Sequence, residues 1–149
     1  MTGLRIAVVG AGALGRHHAR ILGGLPGVNL VAVADPHAGR GQAVAADCRT
    51  RWVADYRTLF DQVDAVCVVV PTVLHLAVAS HFLQRGLPVL VEKPLAPTAR
   101  EAETLVRLAA EHDALLQVGH VERFNPAWQA AAPFLRHPKY IRAERTSTY

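Results

Sequence analysis

Three glycines near the start of the chain, Gly10, Gly12 and Gly15, have the spacing G-x-G-x-x-G and could bind phosphate. A short apolar run precedes them, which predicts a buried parallel strand, and residues of helical character follow. Gly10 would allow a tight turn, Gly12 would leave room for a pyrophosphate, and Gly15 would let the helix pack closely on the strand. Ala13 and Leu14 open the helix, where free N–H groups would face the phosphates.

An acidic residue, Asp35, ends a second apolar strand that is predicted over residues 30–34, twenty residues after the last glycine of the loop. In dinucleotide-binding folds, the carboxylate at this position bonds the hydroxyls of the adenosine ribose. The alternative is an ordinary turn, with Asp35 as a turn former before Pro36. Strand, glycine loop, helix and carboxylate follow in the expected order, so we predict a dinucleotide site that prefers NAD to NADP. Arg40 complicates this preference because it could pair with a 2′-phosphate.

The composition of the 149 residues is that of one folded domain, with 51% hydrophobic and 19% charged residues. The formal charge of +4 includes no basic run, so we expect attraction for anionic cofactors rather than nucleic-acid binding. Cys48 and Cys67 lack metal or disulfide spacing, and the 8 histidines form no metal-binding motif, so no metal is predicted. No apolar stretch is long enough for a membrane span and no signal-peptide layout is present, which predicts a cytoplasmic protein.

Strand-like and helix-like segments alternate along the chain as far as Gly119. We predict strands over residues 6–9, 30–34, 50–53, 65–70, 88–91 and 115–118. We predict helices over residues 16–22, 37–47, 56–60, 74–85 and 98–112, the last opened by a capping box of Thr98 and Glu101. With right-handed crossovers, this alternation predicts a doubly wound parallel sheet with helices on both faces, an α/β fold of the Rossmann class.

The pattern changes at residue 120, and we place a domain boundary there. Residues 120–126 are polar and aromatic, residues 127–135 have helical character, and residues 140–149 alternate like a strand that has no partner in sequence. Residues 1–119 would therefore be the dinucleotide-binding domain. Residues 120–149 would be only the beginning of a second, α+β domain for substrate binding and oligomerisation, so we expect that the polypeptide stops early.

Four local patterns together resemble the Gfo/Idh/MocA family of nicotinamide-dependent oxidoreductases. They are the glycine loop with Asp35, the turn Pro71-Thr72-x-x-His75, the tripeptide Glu92-Lys93-Pro94, and residues 119–126. Many families share the glycine loop, but the tripeptide after the fifth strand, in this order with the other patterns, is specific. The resemblance covers essentially the whole chain.

The resemblance implies a two-domain dehydrogenase of which this chain is the cofactor-binding part. Pro71, Thr72 and His75 would line the nicotinamide end of the site, Glu92 would contact the nicotinamide ribose, and Lys93 would be the catalytic lysine. The family's second catalytic motif, an Asp and a His about one helical turn apart, lies in the second domain and has no counterpart here. We therefore expect the 149-residue chain alone to be inactive, and the full-length protein to be a homo-oligomer.

A chemical argument for Lys93 stands beside the resemblance. Ligands of open α/β sheets bind at the carboxyl ends of strands, and Lys93 directly follows such a strand. Oxidising an alcohol requires removal of the hydroxyl proton as hydride leaves carbon, and an amine beside a cationic nicotinamide ring suits that exchange. The alternative is a solvated loop in which Pro94 ends the strand. By resemblance to the family, we expect a cis peptide between Lys93 and Pro94.

Three further candidate residues each have two interpretations. His75 could stack near the nicotinamide or simply begin the helix that follows it. Arg123 and Asn125 could point into a substrate cleft, which we favour, or could cap a helix that starts after Pro126.

The sequence therefore predicts an NAD-dependent dehydrogenase acting on a hydroxyl of a sugar or nucleotide sugar. Residues 119–127 look closest to a subgroup of the family that oxidises the 3-hydroxyl of nucleotide-activated amino sugars. The alternative is a non-catalytic NAD-binding module, either a redox sensor or an assembly subunit. The lysine after the fifth strand favours the enzyme, because a sensor needs no amine at the hydride face.

Overall fold

The computed structural model describes residues 3–137, 139–142 and 144, and the chain divides into two compact units, Met1–Gly119 and His120–Tyr149. The first unit contains the strands β1 (Leu4–Val9), β2 (Val28–Ala34), β3 (Arg51–Val53), β4 (Ala65–Val68), β5 (Val89–Val91) and β6 (Leu116–Val118). They form one six-stranded sheet in the order β3-β2-β1-β4-β5-β6, and adjacent strands pair in parallel. The strand order reverses between β1 and β4, which is where open α/β sheets bind their ligands.

Helices cover both faces of this sheet: α1 (Ala13–Leu22), α2 (Ala38–Asp47), α3 (His75–Leu83) and α4 (Ala99–Glu111). Successive side chains of a strand point to opposite faces. Accordingly, Val9 packs in one apolar cluster with Phe82 of α3 and Leu105 of α4, whereas Val8 packs in a second cluster with Ala19 of α1. The predicted doubly wound Rossmann sheet is confirmed.

Several predicted boundaries move where the chain leaves the sheet. β4 ends at Val68 rather than at residue 70, because β1 turns away after Val9, whose carbonyl accepts its last bond from the Val69 N–H at 2.8 Å. The segment Thr72–Leu74 forms a 3-10 turn before α3, and a 3-10 turn over Tyr56–Leu59 stands where a short helix was predicted.

In the second unit, the described regular structure is helical. It contains a 3-10 turn (Val121–Phe124), a helix α5 (Pro126–Ala131) and a further 3-10 turn (Ala132–Phe134). The helix predicted over residues 127–135 therefore ends early, since Pro133 has no N–H to donate to the preceding turn. Of the strand predicted over residues 140–149, residues 140–142 and 144 lie in no strand, and the others lie outside the described residues.

The described part of the chain also bears on membrane, metal and disulfide chemistry. Within it, no helix combines the length and the apolar character that a bilayer crossing demands. No cluster of three or more His, Cys, Asp or Glu side chains in residues 3–137, 139–142 and 144 could hold a metal ion. Cys48 and Cys67 are both free thiols.

Candidate active site

A cavity of about 530 Å³ lies at the carboxyl end of the sheet, where the strand order reverses. It is formed by the glycine loop, the end of β2 and the segment after β4. Its lining includes the predicted residues Gly10, Gly12, Ala13, Leu14, Asp35 and Pro71. The structure thus brings together residues from Val9 to Val78, which lie 69 positions apart in the sequence, around one concave site.

The glycine loop has the geometry that a pyrophosphate requires. Gly10 has a φ of +104°, and a Cβ there would lie 2.5 Å from the carbonyl oxygen of Val69. A Cβ on Gly15 would overlap the carbonyl oxygen of Gly10, so helix α1 can approach β1 only with glycine at that position. A Cβ on Gly12, in contrast, would meet nothing within 4 Å. Gly12 therefore leaves open space at the N-terminus of α1, where the first N–H groups have no partner within the helix.

The carboxylate of Asp35 is buried, with 2% of the residue exposed, and it has several protein partners. The N–H groups of Ala11 and His37 donate to its two oxygens at 2.7 and 2.8 Å. The guanidinium of Arg40 donates to the same two oxygens at 3.1 and 2.9 Å, and this side chain is about half exposed. A carboxylate accepts about four hydrogen bonds. Ribose hydroxyls can therefore bond to Asp35 only if Arg40 moves away.

These partners determine the ionisation of Asp35. Burial would by itself raise the pKa of the carboxyl, but hydrogen bonds from Arg40, Ala11 and His37 and the charge of Arg40 outweigh it and hold the pKa below its ordinary value. The stabilisation is therefore present above the unfolded-state pKa of about 3.9 and is lost as the pH falls through the lower folded-state pKa. We expect Asp35→Asn to lower the free energy of unfolding by about 2 kcal/mol at neutral pH.

Urea unfolding between pH 7 and pH 3 measures this contribution of Asp35. The difference between the wild-type chain and Asp35→Asn should shrink as the pH falls below about 4. Asp64→Asn is the matched control, because Asp64 forms a similar fork with Arg5 but is exposed to solvent, where such pairs contribute about 0–1 kcal/mol. A pH-independent difference for Asp35→Asn would contradict the prediction.

The tripeptide Glu92-Lys93-Pro94 directly follows β5, and Lys93 and Pro94 form an exposed turn. The peptide between Lys93 and Pro94 is cis, as predicted. Glu92 is buried with 7% exposure; its Oε1 lies 2.9 Å from Nε2 of His18, and its Oε2 accepts a hydrogen bond of 3.0 Å from the Lys93 N–H. Gly119, directly after β6, packs closely against this carboxylate: a Cβ on Gly119 would lie only 3.1 Å from the Glu92 Cδ. Both oxygens of Glu92 thus have protein partners, and its contact with the nicotinamide ribose stays a prediction.

His75 is the first residue of α3 and is 1% exposed. Its Nε2 lies 3.0 Å from the carbonyl oxygen of Val70, and its Nδ1 lies 3.0 Å from that of Pro94 and 3.2 Å from that of Leu95. The ring is therefore enclosed by protein backbone instead of exposed at the cavity. Of the two interpretations from the sequence, stacking against the nicotinamide does not fit this burial, and the start of a helix does.

Arg123 and Asn125 lie in the second unit. Asn125 is the N-cap of α5, because its Oδ1 accepts a hydrogen bond of 2.9 Å from the Ala127 N–H. This geometry matches the capping alternative, and a role of Asn125 in a substrate cleft stays a prediction. Arg123 is exposed on the preceding 3-10 turn, and its role in a substrate cleft stays a prediction.

Sequence reasoning missed two residues that support the site. His18 lies three positions after Gly15, and this spacing puts it on the same face of α1, which is the available signal for its contact with Glu92. Trp52 donates from Nε1 to the Asp35 carbonyl oxygen at 2.8 Å, and a Cβ on Gly41 would overlap the Trp52 ring. Gly41 in helix α2 is thus explained by a close approach that local sequence does not indicate.

The parallel sheet, the glycine loop and the carboxylate at the strand-order reversal define a dinucleotide-binding Rossmann protein. A family model described as the oxidoreductase family with an NAD-binding Rossmann fold matches residues 4–120. The chain belongs to this family, the Gfo/Idh/MocA oxidoreductases, which confirms the resemblance.

Curated relatives and solved structures agree with the family. The chain is 37% identical over 154 residues to UDP-N-acetylglucosamine 3-dehydrogenase of Acidithiobacillus ferrooxidans, covering 100% of this chain and 47% of the relative. It is 42% identical over 131 residues to inositol 2-dehydrogenase 1 of Saccharopolyspora erythraea, covering 84% of this chain and 39% of the relative. The structure of GenD2 from gentamicin A biosynthesis in complex with NAD superposes with a TM-score of 0.85 at 30% identity, covering 90% of this chain and 39% of that one.

The chain thus spans less than half the length of the relatives that it matches. Both curated relatives are named as dehydrogenases, and nothing in these similarities favours a non-catalytic NAD-binding module.

Proposed function

We propose that this chain is the cofactor-binding part of a dehydrogenase that transfers hydride between a nicotinamide cofactor and a hydroxyl-bearing carbon of a sugar or nucleotide sugar. The observation that carries the proposal is the position of Lys93 on an exposed turn at the carboxyl end of β5. This turn approaches the end of β4 through the His75 contacts to Pro94 and Val70, and Val70 lines the cavity. A module that only binds the dinucleotide needs the cavity but no amine at this strand end.

The chemistry follows from the residues around the cavity. A bound nicotinamide cofactor supplies the hydride acceptor or donor. The N–H groups at the start of α1 would hold its pyrophosphate beside Gly12. Lys93 would accept the proton of the substrate's hydroxyl as hydride passes from the carbon that bears this hydroxyl to the cofactor. In the reverse reaction Lys93 would return the proton. Proton and hydride would then leave the substrate together, and the alcohol would become a carbonyl.

The proposed substrate class rests on the relatives, which are named for a nucleotide sugar and for inositol, both rich in hydroxyl groups. We also propose that residues 120–149 begin a substrate domain that is completed in the full-length protein, where Arg123 would be a cleft residue. This larger protein would be a homo-oligomer. Reading the coding sequence beyond residue 149 tests the proposal: an in-frame helix with an Asp and a His one turn apart supports the enzyme, and its absence argues against it.

The arrangement of Asp35 and Arg40 leads to a prediction about the cofactor. NADH can replace the two Arg40 bonds with its ribose hydroxyls, whereas NADPH would place a 2′-phosphate beside the carboxylate that Arg40 leaves. We therefore expect NADH to bind the chain at least about tenfold more tightly than NADPH, a difference of about 1.4 kcal/mol. Fluorescence titrations of the 149-residue chain with both cofactors measure it.

Arg40→Ala is the informative variant for this preference. It removes the only cation within hydrogen-bond distance of Asp35 among the described residues, so repulsion of a 2′-phosphate should increase and the preference for NADH should widen. Tighter binding of NADPH than of NADH by the wild-type chain would contradict our interpretation of Asp35.

A further inference from the structure

Two segments that leave the sheet side by side meet at the buried ring of His75. One segment follows β4 and contains Val70, whose carbonyl lies 3.0 Å from Nε2. The other follows Lys93 and contains Pro94 and Leu95, whose carbonyls lie 3.0 and 3.2 Å from Nδ1. A neutral imidazole donates from one nitrogen only, whereas an imidazolium donates from both. With the proton on Nδ1, the neutral ring bonds to the carbonyls after Lys93, and His75 itself follows the segment after β4 along the chain.

The hydrogen bonds that join β5 to β4 end before the segment that follows Lys93. The Glu92 N–H still donates to the Val68 carbonyl of β4 at 3.0 Å, and the Lys93 N–H donates to the Glu92 side chain. Beyond that point the next residue is Pro94, which has no N–H and cannot continue the ladder. Of the hydrogen bonds among described residues, those to the Pro94 and Leu95 carbonyls come from His75.

We propose that His75 is a positioning residue: it fixes the turn that carries Lys93 to the segment after β4, and it touches neither cofactor nor substrate. The carbonyls of Pro94 and Leu95, which follow Lys93, are then held against the same ring that contacts Val70 at the cavity wall. Because two carbonyls converge on Nδ1 and one on Nε2, the bond from Nδ1 contributes more to this positioning. The catalytic part of the inference rests on the proposed function, whereas the fixing of the turn does not.

Residue-resolved hydrogen exchange of the 149-residue chain tests the fixing of the turn directly. In His75→Phe, we expect the Lys93 amide to exchange about tenfold faster, while amides of β1 and β2 keep their rates. His81→Phe is the matched control, since His81 lies on the same helix and the Nδ1 of its ring lies 2.9 Å from the Tyr56 hydroxyl, away from the Lys93 turn. It should leave the Lys93 amide unchanged.

Two conservative variants separate positioning from general stability. The amide nitrogen of asparagine can replace Nδ1, and that of glutamine can replace Nε2, so His75→Asn should restore slow exchange at Lys93 and His75→Gln should not. If His75→Phe fails to fold, this pair carries the test. The proposal is overturned if Gln restores the Lys93 amide as well as Asn does, or if His75→Phe and His81→Phe accelerate it equally.

The same variants address catalysis in the full-length protein. His75→Asn should keep kcat within a few-fold, whereas His75→Gln should lower kcat about tenfold with NADH affinity changed less than threefold. An inactive wild-type protein would refute the proposed function but leave the hydrogen-exchange result intact. Unchanged exchange in an active enzyme would refute the role of His75 alone.

Discussion

In a full-length protein that contains this chain, Lys93→Met should lower kcat at least about a hundredfold while leaving the affinity for NADH within a few-fold. Loss of a general acid–base group typically costs a factor of about 10²–10⁴. The Lys93 side chain is exposed beyond the end of β5, and the glycine loop and Asp35 lie on other strands. Removing the amine should therefore affect proton transfer and spare cofactor binding. Steady-state kinetics with NADH titration measures both quantities.

The chain offers a matched control, because Lys139 is its other lysine and is also exposed. Lys139→Met removes the same charge and adds the same side chain, so it should leave kcat unchanged. Near-normal turnover of Lys93→Met would mean that Lys93 is a solvated loop residue, and the proposed function would lose the observation that carries it.

The sheet could be predicted from the sequence because its physical causes are local. Apolar runs such as the one in β4 indicate strands buried on both faces, and the glycine spacing indicates the loop between β1 and α1. The alternation of strands and helices with right-handed crossovers then predicts a parallel sheet with helices on both faces. Element ends were less predictable: β4 stops where β1 turns away, which depends on a neighbour sixty residues earlier in the chain.

The composition of the site could be predicted, but its internal bonding could not. The sequence indicates Asp35 as a partner of ribose hydroxyls and Arg40 as a possible partner of a 2′-phosphate, and the structure shows the two side chains bonded to one another. Glu92 and His18 are 74 residues apart, and their contact depends on how α1 packs against the end of β5. Such pairs arise from tertiary packing: helical spacing from Gly15 indicates the face of α1 on which His18 lies, but it does not indicate which residue His18 contacts.

Two histidine contacts, made by His18 and His75, lie on either side of Lys93 in the sequence. His18 contacts the Glu92 side chain before Lys93, and His75 contacts the carbonyls after it. The exposed lysine is thus carried on a turn with a polar contact on each side, one from α1 and one from α3. Under the proposed function, contacts on both sides of Lys93 would leave mainly its side chain to be ordered when substrate binds, which would favour proton transfer.

The glycine loop gives the second large expected effect, because two of its glycines have separable roles. Gly15→Ala places a methyl group against the Gly10 carbonyl, where no side-chain rotation can relieve the overlap. We expect the free energy of unfolding to fall by about 3 kcal/mol, at the upper end for overpacking, and the Tm to fall by roughly 6–12 °C. Thermal unfolding of the 149-residue chain without cofactor measures this effect.

Gly12→Asp should leave the Tm intact and weaken NADH binding. Gly12 is the N-cap of α1 with φ −68° and ψ −169°, an extended conformation that any residue adopts, and a Cβ there meets nothing within 4 Å. Aspartate is a preferred N-cap, so the Tm should stay the same or rise. Its carboxylate would occupy the space proposed for the pyrophosphate and repel it, so NADH affinity should fall at least about a hundredfold, or about 2.7 kcal/mol.

Retained NADH binding in Gly12→Asp would place the pyrophosphate elsewhere, whereas an equal loss of Tm in both variants would mean that the two glycines share one structural role.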